Sequence, residues 1–274
     1  MRTTHEWCLV LIAPFCLAAA ARAQVEVGGD LTLASAYLWR GVTVVNRPIL
    51  QPSLYATRPL GPLAVTGSLW SNIELGRYDG SSDISETGGT SAFNVAEIDP
   101  SLELGLPIGE HSLALGVDGF VYPNGAGYTS ADNAAEIYLR LDVALPGEPS
   151  LGWWRDVTAI DGSYFEASLS HSFALREDLA LELACAAGFS LSQGENLRSD
   201  GSVRRPGNFA EDGFTHWEGG ATLAFSWREL TIAPSLSLVV GSDPWTKYSS
   251  ATHTRDVKLY GALSVRSASL WPER

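Results

Sequence analysis

His216 and Glu218 lie two residues apart on one face of an extended segment, with Asp212 four positions before the histidine. A histidine beside carboxylates is the minimum equipment for general acid–base hydrolysis at neutral pH. Catalysis also needs groups converging from other segments, so a histidine satisfied at a rim is the plainer expectation. His171 and Ser172 are adjacent and point to opposite faces of a strand, which excludes an esterase pair. Glu97, Asp99 and Glu103 alternate along one face, opposite a segment carrying Glu136 and Asp142. Such hard oxygens suit Ca²⁺, but no calcium loop or fixed ligand spacing accompanies them, and a hydrated acidic wall is expected. Of Trp153 and Trp154 only the second can share a face with Trp70, Tyr138, Tyr164 and Tyr260, so a stacked tryptophan pair is excluded. Arg40-Gly41 closes the first extended run, where the arginine either pairs with carboxylates inside or anchors to lipid phosphate at the rim.

The elements that must position these groups are strands. Val25, Val27, Leu31, Leu33, Tyr37 and Trp39 share one face of a period-two run, and Glu26, Asp30 and Thr32 share the other. The same alternation recurs at 47–57, 62–76, 93–106, 111–122, 133–145, 150–157, 163–175, 179–192, 214–227, 230–241 and 257–267. About twelve strands follow, many of them near the ~9–11 residues a tilted membrane strand needs. Connections at 58–62, 107–110, 146–149, 176–178 and 228–229 are short. Those at 77–92, 123–132, 193–213 and 242–256 are long, while 41–46 and 158–162 read as short. Tight turns at one rim and long loops at the other are the outer-membrane arrangement. The apolar face then meets lipid, and every backbone polar group is satisfied only if the sheet closes.

Composition agrees. The chain has 274 residues, 45% hydrophobic and only 18% charged, which argues against disorder. A net charge of -13 argues against nucleic acid as a partner, since phosphate binding needs a basic face. Residues 1–23 carry Arg2, an apolar run and Ala21-Arg22-Ala23, the pattern of a cleaved signal peptide. The run is too short to span a bilayer as a helix. The mature chain, 24–274, is expected to be one barrel domain with Cys185 as its lone cysteine, which rules out a disulfide or thiolate metal site.

Ser35-Ala36-Tyr37-Leu38-Trp39-Arg40-Gly41, Gln51-Pro52 and Gly67-Ser68-Leu69-Trp70-Ser71-Asn72 resemble the opening hairpins of the TorF-type porins of Gram-negative outer membranes. Gly162-Ser163-Tyr164-Phe165-Glu166 and Ser168-Leu169-Ser170-His171-Ser172-Phe173 are also similar. The resemblance implies a barrel and a channel and brings no catalytic residue. It departs at Leu270-Trp271-Pro272-Glu273-Arg274, where such barrels usually finish on an aromatic that the assembly machinery reads.

The expected protein is an all-β, single antiparallel transmembrane barrel, not an enzyme, passing small hydrophilic solutes without a cofactor. Alternatives are a hydrolase with a rim site at His216 and Glu218, and a closed structural or adhesive barrel. Its partners are outer-membrane lipid, the assembly machinery and passing solutes or cations. Inward charges are Glu26, Asp30, Glu74, Glu97, Asp99, Glu103, Asp118, Glu136, Asp142, Asp156, Glu166, Glu182 and Glu218, against Arg40, Arg140, Lys258 and Arg266. Thirteen acids against four bases imply a cation preference. Tyr37, Trp39, Trp153, Phe165 and Trp217 are expected in the interface belt at one rim, and Phe173, Phe225 and Trp227 at the other. With both termini periplasmic, epitope tags placed after Gly88 and Asp200 should be labelled on intact cells. Labelling only after permeabilisation would overturn the orientation.

Overall fold

The computed structural model describes residues 25–125, 133–158, 160, 162–194, 196–197, 203–205, 207–244, 248–250, 253–254 and 257–267. The leader expected at 1–23, the tag position Asp200 and the terminal Leu270–Arg274 lie outside them. Twelve strands close a single antiparallel barrel in sequence order. They are β1 (Glu26–Ala34), β2 (Ile49–Leu60), β3 (Leu63–Glu74), β4 (Asn94–Ile108), β5 (His111–Phe120) and β6 (Ala134–Asp142). Then come β7 (Ser150–Asp156), β8 (Ser163–Arg176), β9 (Leu179–Leu191), β10 (Gly213–Trp227), β11 (Leu230–Gly241) and β12 (Val257–Ser267). The ring shuts where β1 pairs with β12, Leu31 opposite Val265 and Leu33 opposite Leu263.

The two faces follow the alternation. Leu31, Leu54, Leu69, Leu102, Leu115, Leu169, Leu223 and Leu236 are all exposed on the outside. A soluble protein rarely exposes a contiguous apolar patch beyond a few hundred Å², so this girdle belongs in hydrocarbon. Inside, Asn72, Glu74, Glu97, Glu136, Asp156 and Tyr164 are buried. At the short-turn end Gly61, Gly109 and Gly147 sit at positive φ in the connections between paired strands. A side chain there would strain the backbone.

Aromatics at the long-loop rim form a row. Trp153 pairs with Phe165, Phe165 with Phe189, and Phe189 with Phe214, whose ring lies 5.1 Å from Trp217. Phe189 and Phe214 extend the belt beyond the residues expected from sequence. Phe173, Phe225 and Trp227 share the outer face at the opposite rim.

Tyr37 and Trp39 are a correction. The barrel strand ends at Ala34, and the connection 35–48 is long and folds inward as a hairpin, Tyr37–Trp39 against Val42–Val45. Its tip is Arg40-Gly41 with φ of 49° and 82°, a two-residue turn with both residues left-handed, the kind that matches strand twist. Tyr37 is only 9% exposed and meets Trp70 at 5.4 Å, while Trp39 stacks on Phe209. Both rings therefore face the lumen, not lipid. Period two correctly puts Tyr37 and Trp39 on one side of the chain, but it carries no information about a reversal at Arg40.

A fully paired ring has no free edge where unfolding can begin. Purified protein should migrate differently in detergent gels before and after boiling. An unshifted band under conditions that preserve other barrels would contradict closure.

Candidate functional site

The hairpin carries the site into the lumen. Arg40 donates from Nη1 and Nη2 to the two oxygens of Glu136 at 2.8 and 2.6 Å. Its side chain is 9% exposed and that of Glu136 is 2%. Planar fork meets planar fork, which makes this the strongest kind of side-chain ion pair. Aromatic faces surround the guanidinium carbon, Tyr164 at 4.3 Å, Trp39 at 4.4 Å and Trp154 at 5.4 Å. Removing one partner of such a buried pair costs about 3–5 kcal/mol, because the other charge is stranded. A second attachment comes from Lys258, whose ammonium donates to the Gly41 carbonyl.

Rings continue along the wall. Tyr138, Trp154 and Tyr164 lie at successive spacings of 6.3 and 5.9 Å, and Tyr164 stacks on Phe209 at 6.0 Å. Phe209 comes from the 192–212 connection, is fully buried, and bridges hairpin to wall. Nothing in the local sequence marks it, since it lies in a loop without periodicity.

An acid on β3 holds the next loop. Glu74 is fully buried and accepts from the Glu86 and Thr87 amides at 2.7 and 3.2 Å and from Ser85 Oγ at 2.7 Å. One wall carboxylate thus staples the 75–93 loop to the barrel. Asn72 Nδ2 donates to Glu86 at 2.9 Å. The loop also holds the hairpin base, through Arg47 on Asp83 and Asn46 on Ser82 and Ile84. The Arg47 guanidinium holds the Asp83 carboxyl below the usual carboxylate range.

Other inward charges line the rest of the wall. Glu103 takes Tyr138 Oη at 2.8 Å and Arg140 at 3.3 Å, and Arg140 also reaches Asp142. Arg266 pairs with Asp30 at 3.3 Å, and Tyr164 Oη donates to Glu166 at 3.0 Å. Asp118 and Asp156 flank Glu136 in register. Glu26 is exposed at the short-turn rim, and Glu182 lines a lower cavity with Glu218.

The residues of the hydrolase alternative have other partners. His216 shares a hydrogen bond with Thr215 at 3.0 Å, its ring packed under Gly41, where any Cβ would collide with it. Glu218 accepts from Tyr260, and Asp212 accepts the Gln193 and Gly194 amides at 2.9 and 2.8 Å. Thr215 is the extra residue of a bulge between the Gly188–His216 and Phe189–Phe214 pairs, which leaves His216 on the inward face it shares with Glu218 and carries Phe214 to the outer face with Trp217.

No family model and no curated protein matches the chain. Solved structures do. An outer-membrane channel from Pseudomonas putida F1 is 10% identical over 88% of this chain and 94% of its own, with a TM-score of 0.52. The NanC porin is 9% identical over 88% and 100%, with a TM-score of 0.49. Outer membrane phospholipase A from Escherichia coli is 11% identical over 91% and 98%, with a TM-score of 0.41. The likeness to the Pseudomonas putida structure shows the fold, an outer-membrane β-barrel.

Burial, then the neighbouring charge of Glu97, pushes the Glu86 carboxyl up to about 9. Docked Glu86 is protonated at neutral pH, whereas a released loop would ionise it near the ordinary 4.5. Docking is therefore strongest below that ordinary value and weakens as pH rises through the folded one. Proteolysis of the 75–93 loop should accelerate between pH 7 and about 9.5. Glu86→Gln should flatten that rise. Equal acceleration in the variant would remove Glu86 from the account.

Proposed function

We propose that this protein is a diffusion channel of the Gram-negative outer membrane, passing small hydrophilic solutes with a weak preference for cations. The observation that carries this is the lumen wall below the hairpin. A cavity of about 430 Å³ there is lined by Ser168, Ser170, Ser172, Thr222 and Ser237, with Glu182 and Glu218. Small hydroxyls offer a solute hydrogen bonds without filling the bore, and fixed carboxylates favour positive charge. The Pseudomonas putida relative of the same fold is an outer-membrane channel, and the resemblance to TorF-type porins points the same way.

The hairpin narrows the bore at its long-loop end. Arg40 and Lys258 bring positive charge to that level, but Asp99, Asp118 and Glu166 adjoin it and the surplus stays acidic. Long loops face outward and both termini face the periplasm in this reading. Charge acts at range here, because the screening length of about 8 Å at physiological salt is comparable to a narrow lumen's half-width.

A second reading, a closed structural or adhesive barrel, draws on the packed long-loop end, where Val45, Ile49 and Phe209 are fully buried. Planar-bilayer recordings separate the two. The channel reading expects conductance and a cation-directed reversal potential in a potassium chloride gradient, fading at high salt and toward about pH 4 as carboxylates protonate. Anion preference at neutral pH would overturn the lumen assignment, and silence under all conditions would favour the closed barrel.

A further inference from the structure

Arg40 is held as a ligand is held. Its guanidinium satisfies both oxygens of a buried carboxylate, and two of its three aromatic neighbours, Trp154 and Tyr164, belong to the barrel wall. Only Trp39 travels with the hairpin. Without Arg40 the wall would keep a buried Glu136 flanked by Asp118 and Asp156, with aromatic faces beside it. That is a site for a planar cation. A cavity of about 330 Å³ adjoins it, lined in part by Ser68, Asp99, Ser101, Asp118 and Glu166. The space offers room and carboxylates for a second polar or positive end of the same solute.

We propose that the Glu136–Trp154–Tyr164 cage recognises guanidinium-bearing solutes, and that Arg40 is a tethered occupant which such a solute displaces. The inference rests on the channel reading and names its substrate class. A guanidinium meets the two carboxylate oxygens with parallel N–H groups and stacks on the rings, which a compact ammonium cannot reproduce. Displacement needs only the Arg40 side chain to swing out. Arg40 stands at the apex of a two-residue turn whose backbone keeps its own anchors, the Lys258 ammonium on the Gly41 carbonyl, the His216 ring against Gly41 and the stacking of Trp39 on Phe209. The hairpin base is fixed separately, by the packing of Tyr37 and Val45 with Ala34 and Ile49.

The test is titration calorimetry on refolded protein in detergent with agmatine, methylguanidinium and butylammonium, with heat-shifted gel migration as the check on folding. R40A, with the cage vacated, should bind agmatine at least tenfold more tightly than wild type, and methylguanidinium at least tenfold more tightly than butylammonium. R40K, which keeps the charge without the fork, should fall between them, and R40A/E136Q should lose the preference. Equal binding of guanidinium and ammonium probes, or binding indifferent to E136Q, would overturn the proposal. Bilayer recordings on the same samples distinguish the two levels. Agmatine block of R40A current supports cage and channel together. Selective calorimetric binding with no current supports the cage and removes the channel, whereas current with no guanidinium selectivity removes the cage alone.

Discussion

Every N–H and C=O that faces hydrocarbon must find its partner within the protein, and each failure costs several kcal/mol. Antiparallel strands meet this demand only as a ring, so the pairing of β1 with β12 is the condition on which the rest of the molecule depends. Closure inverts the usual arrangement of a soluble fold. Leucines that would form a core turn outward, and the carboxylates and hydroxyls of the same strands are gathered into the centre. The acidic lumen is thus a consequence of the membrane requirement acting through a side-chain period of two.

A ring that concentrates acids must hydrate, pair or protonate them. This lumen does all three. Small hydroxyl residues leave space around Glu182 and Glu218. Arg140 and Arg266 answer Glu103, Asp142 and Asp30. Near the long loops Arg40 is imported on a hairpin to meet Glu136, and Glu74 is consumed by loop amides. Burial at that end raises Glu86 enough to keep it neutral.

The long-loop end behaves as one assembly. The first hairpin is gripped by the 75–93 loop at its base, by Phe209 along its ring face and by Lys258 at its tip. Glu211 and Ala210 donate in turn to Asp243 of the next connection, which joins that loop to the one bearing Phe209.

Strand number, strand faces and the inward charges were legible in the alternation, because residues two apart must share a side whatever the tertiary context. The outward placement of Phe165, Trp217 and Trp227 follows from the same rule. Long and short connections were also readable, except 35–48, whose own period-two pattern made it look like the end of β1. Tyr37 and Trp39 were misplaced for that reason: alternation reports which residues share a face, not where the chain reverses. Arg40 read equally as a partner for lumen carboxylates or as an anchor to lipid phosphate, because Glu136 is 96 residues away and only closure of the ring brings the two together. Phe209 had no signal, because a buried loop residue is defined by what it packs against. The inward face of His216 was legible from its spacing to Glu218, but its packing against Gly41 of a hairpin 175 residues earlier in the chain was not. Local periodicity thus determined the wall of this protein, while the contents of the lumen depended on contacts between distant segments, which exist only once the ring has closed.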